Sequence, residues 1–245
     1  MAPSAGDTGG SGGSVDSALP ALERAPTLAV MAYDHVKNAI VSGQLPPSSH
    51  HSEASLARRL GISRAPLREA VRQLREEGFV EADQQGVLVA PLTKRNVADL
   101  YEVRLALEGQ AAARAFGHVP AEEITTMRAE MERIGPLTKE GRTHEFIALD
   151  IAFHDLWISH CENAVLTQFV GRLRDHIRRA SNLASGLSEA SYQAYLEHLV
   201  ILDALEGDDA ATFRKAVESH IAAVAERMAA AFPDNAADDD PADDR

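Results

Sequence analysis

The chain has 245 residues, 45% of them hydrophobic, and a formal net charge of −13, so it is long and apolar enough for two domains, each with a core of its own. One cysteine, Cys161, excludes an internal disulfide and a thiolate metal cluster, and no apolar run approaches the roughly 18 residues that cross a bilayer. With the first basic residue at Arg24 no signal peptide is expected, which predicts a cytoplasmic protein without a membrane partner.

The first 25 residues are Gly/Ser-rich without periodicity and read as a disordered tail, as does the acidic run of residues 233–245. Charge is unevenly spread between them. Residues 33–95 hold nine Lys/Arg against seven Asp/Glu, leaving 15 against 30 elsewhere, which implies an N-terminal unit that meets a polyanion and a C-terminal unit that does not.

A first helix is predicted over 28–42, ending at Gly43. A short second helix starts at Ser52, a plausible N-cap, and breaks at Gly61. After the tight turn "GIS", Ser63 caps a third helix running to about Glu77, with Pro66 in its first turn. Two helices joined by a short Gly-containing turn make a helix-turn-helix candidate.

At about 100° per residue from Arg64, the third helix gathers Leu67, Ala70, Val71 and Leu74 into one apolar stripe, while Arg64, Arg68, Arg72 and Arg75 form a ridge beside it. Such a ridge is commonly a solvated face paired with nearby acids, here Glu69, Glu76 and Glu77. The continuation "FVEADQQGVLVAP" reads as two short strands around a turn ending in Gly86, where a backbone approaches phosphate or the minor groove closely. Helix, turn, helix and hairpin in this order describe a winged helix-turn-helix over 26–93 that inserts the arginine ridge into the major groove of double-stranded DNA.

From 96 to 232 the pattern is helical throughout, with helices predicted near 95–116, 120–133, 142–159, 164–185, 188–206 and 209–232. The expected fold is therefore mostly α, a winged helix-turn-helix followed by an antiparallel six-helix bundle. Three helices carry inward-facing ligand types. Asp150 and His154 form an i, i+4 pair in "FIALDIAFHDLW", His198 shares a face with Tyr195 and Leu202, and His220 shares one with Phe213 and Val217. One buried carboxylate and three imidazoles suit a divalent cation, Zn, Ni, Fe or Mn. The other histidines, His176 among them, read as surface or ordinary core.

The segments "YDHVKNAIVSGQLPP", "EASLARRLGISRAPLREAVRQLREEGFV" and "GVLVAP" resemble the GntR family of bacterial transcriptional regulators. By that resemblance Ser63, Arg64 and Arg68 contact phosphates or base edges and Gly86 sits at the wing tip. Ala54 and Ala65 stand where the family often has Arg and Thr, so the resemblance does not extend to one backbone contact and one hydroxyl contact. "DLYEVRLALEGQAAARA", "LDIAFHDLWISHCENAVL" and "EHLVILDALEGDDAATFRKAVESHI" resemble the FCD effector domain of the FadR branch. That resemblance implies a metal held by Asp150, His154, His198 and His220 that helps to bind a small organic acid, with Arg104 either pairing with the acid or making a surface salt bridge to Glu102 or Glu108. Together these readings predict a homodimeric repressor on a palindromic operator, released by the acid. Two alternatives stand beside it: a regulator for which the ion itself is the signal, and a metal-dependent hydrolase.

Overall fold

The computed structural model describes residues 26–83, 86–184 and 188–234, so the proposed N-terminal tail and most of the acidic C-terminal run lie outside the described residues. The first two residues of that run are tied down, with Lys94 N–H donating to Pro233 O at 2.8 Å and Lys94 Nζ lying 3.5 Å from Asp234 Oδ1.

Helix α1 (Leu28–Val41) starts at Thr27, whose hydroxyl accepts from Val30 N–H, and buries Val36 and Ile40. Helix α2 (Glu53–Leu60) is capped by Ser52 as expected and stops at Gly61, whose φ of +67° supplies the left-handed turn. Helix α3 (Arg64–Glu76) buries the predicted stripe of Leu67, Ala70, Val71 and Leu74 against these two. Leu67 is 0% exposed, and its truncation to alanine is expected to cost about 2–5 kcal/mol.

The wing has three strands where two were expected. β1 (His50–His51) pairs antiparallel with β3 (Gly86–Val89), which pairs with β2 (Val80–Asp83), in the order β1-β3-β2. His50 and His51, predicted as loop, form the edge strand, and His50 Nδ1 meets Asp83 Oδ2 at 2.8 Å. Asp83 and Gly86 are register partners, so both belong to strands rather than to the turn. Gly86 has φ +132°, and a Cβ there would meet His51 O at 2.8 Å, so close approach within the sheet already requires glycine.

The C-terminal helices are α4 (Lys94–Ala115), α5 (Ala121–Ile134), α6 (Thr143–Ile158), α7 (Ala164–Leu183), α8 (Ser188–Leu205) and α9 (Ala210–Ala229). α4 opens with a capping box in which Thr93 and Asn96 exchange side-chain and backbone bonds. Residues Gly135–Glu140, expected as a plain connector, wind into a 3-10 turn held by Thr138 Oγ1 donating to Gly135 O at 2.7 Å. α4 packs along α9 and against α7, and α8 packs on α9 and the 3-10 turn. Phe153, Trp157, Leu202 and Phe213 are at most 0% exposed and centre this core, which is a cluster separate from that of the winged helix.

The two cores meet along α7. Lys37 of α1 bridges Asp175 at 2.7 Å and Glu77 at 3.2 Å, Asn182 Nδ2 donates to Val41 O at 2.9 Å, and Arg179 donates to Ala90 O. His176, read on sequence alone as surface or ordinary core, packs at this seam, where it stacks on Phe79 with centroids 4.1 Å apart and its Nε2 lies 2.9 Å from Glu77 O. No helix among the described residues is long and apolar enough to cross a membrane.

Candidate nucleic-acid interface and metal centre

At the start of α3, Ser63, Arg64 and Ala65 are exposed, as are Arg68, Arg72 and Arg75 farther along. Ser63 has the extended backbone of an N-cap, φ −73° and ψ 165°, but its hydroxyl makes no capping bond, contrary to expectation. That hydroxyl and the first-turn amides therefore face water together. The arginines pair only in part with the acids considered on sequence alone: Arg72 takes Glu76, but Arg68 takes Glu53 of α2. Arg68 Nε reaches Glu53 Oε2 on α2 at 2.8 Å, and Arg72 reaches Glu76 at 2.5 Å, whereas Arg64 and Arg75 have no carboxylate within 4.0 Å among the described residues. Both ion pairs are at the surface, Arg68 and Arg72 keeping 65% and 63% of their side-chain area exposed, so either can be exchanged for another anion at small cost.

In the bundle, α6 supplies Asp150 and His154, α8 supplies His198 and α9 supplies His220, and one ligand atom from each lies within 4.8 Å of all the others. His198 Nε2 is 3.2 Å from His220 Nε2 and 3.3 Å from Asp150 Oδ1, and His154 Nε2 is 3.9 Å from the same oxygen. Ligands about 2.0–2.2 Å from a common ion stand roughly 3.0–3.5 Å apart, close to these separations.

The far sides of two rings set their tautomers. His154 Nδ1 lies 2.5 Å from Glu108 Oε2, and His220 Nδ1 lies 2.7 Å from Glu197 Oε2. Each carboxylate accepts, so each Nδ1 carries the proton and each Nε2 turns a lone pair toward the shared centre. His154 Nε2 is buried and finds no hydrogen-bond partner among the described residues, the orphan that a cation would satisfy. Burial together with the neighbouring imidazoles pushes His198 well below its ordinary pKa, and burial pushes His220 down as well, which favours the neutral ligand form. These residues fit a divalent ion.

Glu108 and Glu197 were missed as supports of this centre. Glu108 is 1% exposed and grips Arg104 Nε at 2.7 Å with its other oxygen. Burial alone would raise its pKa, yet the Arg104 guanidinium and His154 hold it down to about 2. Glu197 is held by Arg227 through two bonds of 2.8 and 2.7 Å. The available signals were local: Glu108 follows Arg104 by one helical turn, and Glu197 immediately precedes His198. Arg104 does pair with Glu108, but inside the core at 4% exposure rather than at the surface. It lines a pocket with Tyr101, Asp150, Ser181, Ser191 and Arg227, so two cations and three hydroxyls surround a space bordered by one of the ligand carboxylates.

The description "Bacterial regulatory proteins, gntR family" matches residues 28–89, and "FCD domain" matches residues 99–223. Over 203 residues the chain is 30% identical to the "Probable D-xylose utilization operon transcriptional repressor" of Paenarthrobacter nicotinovorans, covering 80% of this chain and 87% of that protein. It is also 30% identical over 147 residues to the "Uncharacterized HTH-type transcriptional regulator YdhC" of Bacillus subtilis, covering 59% of this chain and 66% of that protein. Among solved structures, E. coli McbR/YncC superposes with a TM-score of 0.63 at 19% identity, covering 83% of this chain and 95% of the other, a likeness of fold. Winged helix, arginine ridge and helical bundle thus agree with both matches, and the chain belongs to the GntR family as a DNA-binding transcriptional regulator with an FCD domain.

Proposed function

We propose that this regulator is a homodimeric repressor, built from a reading head over residues 26–93 and a ligand-sensing bundle over 96–232, that leaves its operator when a small organic acid binds beside a divalent metal. The observation that carries the reading is the convergence of Asp150, His154, His198 and His220, of which Asp150 also lines a pocket with Arg104 and Arg227. Those four side chains would hold the ion, Zn, Ni, Fe or Mn, and its positive charge would favour a carboxylate in the pocket. Arg104 and Arg227 supply planar donors for the acid, and Ser181 and Ser191 supply hydroxyls for its remaining oxygens.

On the DNA side, Ser63, Arg64, Ala65, Arg68 and Arg72 would enter the major groove, with the wing beginning at Gly86 placed on the adjacent backbone. Relatives named as repressors of D-xylose and gluconate operons support repression over activation. Family membership sets the hydrolase alternative aside, since the relatives are transcriptional regulators. The carboxylates bonded behind His154 and His220 favour a firmly held ion over one whose concentration is the signal. A working place in the cytoplasm follows from the DNA target.

The test is metal analysis of the purified protein followed by operator titration with sugar acids and other small organic acids. One bound metal per chain, lost in Asp150→Ala, and an acid that weakens operator binding only when metal is present are the expected results. A metal-free protein with full response to the acid would overturn the proposal.

A further inference from the structure

A second cavity, of about 200 Å³, lies at the seam between the two cores, bordered by Glu81 of β2, Ala90 and Leu92 of the connector between β3 and α4, Asn96 of α4, and His176 and Arg179 of α7. It shares no lining residue with the pocket beside the metal ligands. Its unusual member is Arg179. This side chain is 2% exposed, one terminal nitrogen donates to Ala90 O, and its Nε is buried without a partner among the described residues. Among the described residues no carboxylate lies within 4.0 Å of it, in contrast to Arg104, whose charge is met by Glu108. Burial lowers its pKa to about 10, which leaves it charged at neutral pH.

A buried cation with an unused donor is expensive to keep unless an anion completes it. Asn96 adds to the case. Its Oδ1 is taken by Thr93 N–H at 3.1 Å, which leaves its amide NH2 to donate, and it lies in the first turn of α4, where the helix dipole favours negative charge. His176 Nε2 is occupied by the carbonyl of Glu77, and Glu81 is the one carboxylate on the cavity wall, exposed to water.

We propose that this interdomain cavity is a ligand site of its own, taking a small oxyanion, a carboxylate or a phosphate, between the Arg179 guanidinium and the Asn96 amide. An anion there joins α7 to the connector and to the base of α4, and so fixes the reading head against the bundle. The site is separate from the proposed acid pocket and does not depend on it.

Metal-loaded full-length protein is titrated with inorganic phosphate in one arm and acetate in the other, while the Nε–H resonance of Arg179 and the side-chain NH2 resonances of Asn96 are followed by NMR. A saturable shift of both groups in one arm is expected and identifies the oxyanion class. It should persist in Ser191→Ala, which removes a hydroxyl from the other pocket, and vanish in Arg179→Gln. Asn96→Asp keeps the capping oxygen but sets a negative charge against the ligand, so it should weaken binding at least tenfold even if Arg179→Gln does not fold. No saturable shift in either arm, a shift unchanged in Asn96→Asp, or one lost in Ser191→Ala would overturn the proposal and leave Arg179 a structural donor to Ala90.

Discussion

Arg68 donates to Glu53 at 2.8 Å, and that bond has to be exchanged before the guanidinium can reach a base edge. The pair links α2 to α3, so Glu53 competes with DNA for one donor while also positioning it. Arg68→Ala should therefore lower the preference for operator over random DNA by roughly 5- to 150-fold, the range of a lost bidentate base contact. Arg75→Ala, near the end of α3, should cost both kinds of DNA about equally and less. Glu53→Gln should raise affinity roughly two- to fivefold by releasing Arg68 from an exposed ion pair. Fluorescence anisotropy at one fixed salt concentration checks all three, and equal losses for Arg68→Ala and Arg75→Ala would refute the ranking. Gly86 tests a different physics. With φ at +132° and His51 O 2.8 Å from where a Cβ would stand, Gly86→Ala should destabilise the wing by about 1–3 kcal/mol, seen as a lower Tm.

α7 touches both cores, with Asp175, His176, Arg179 and Asn182 facing the winged helix while Ser181 reaches the pocket lined by Asp150 and Arg104. A shift of this helix would move the reading head, which gives it the position of a coupling element. Lys37→Met combined with Asn182→Ala removes the bridge to Asp175 and the bond to Val41, and should speed amide exchange in residues 90–97 and α7 without unfolding either core, as read by hydrogen-exchange mass spectrometry. Acid should act in the same direction. Burial would raise the pKa of Glu77, but hydrogen bonds from Tyr33, Gln73 and Lys37 and the Lys37 charge bring it below its ordinary 4.5, so its contribution is complete above that pH and fades as the pH falls through the lowered value. Protection of the seam amides, corrected for the intrinsic pH dependence of exchange, should begin to fall below 6.5, where burial of His176 opposes its protonation, and fall further on the acid side of 4.5 as Glu77 is protonated. None of this seam was legible in the sequence, because Lys37 and Asp175, or Glu77 and His176, are brought together only by the docking of two independent cores. The helices were legible, since Leu67, Val71 and Leu74 repeat at helical spacing, and so was the convergence of Asp150, His154, His198 and His220, each of which breaks an apolar face with a polar atom. β1 was not, because two residues are too short to show alternation, and Glu108 was not, because an acid one turn from an arginine reads equally well as a surface pair.

For the whole molecule the charge distribution limits how DNA can be held. A chain of net charge −13 approaches a polyanion only with its basic ridge forward, and one ridge of four arginines reaches too few base pairs to select a site in a genome. Two copies related by a two-fold axis double the contact and demand that the half-sites lie on one face of the duplex. Binding should therefore depend on half-site spacing: centres about 10–10.5 base pairs apart, or a full turn farther, are bound, and insertion of about 5 base pairs rotates one half-site to the opposite face and abolishes specific binding. The salt dependence belongs to the same argument. Each phosphate neutralised contributes about −0.9 to the slope of log affinity against log salt, so Arg72→Ala, present in both protomers, should make the slope shallower by up to about 2 if the complex is a dimer and about 1 if a single copy binds. Sedimentation in the absence of DNA fixes the stoichiometry independently, against a chain mass of 26.4 kDa. A species of that mass, indifferent to half-site spacing, would show that one copy reads the operator alone and would remove the two-fold axis from the mechanism.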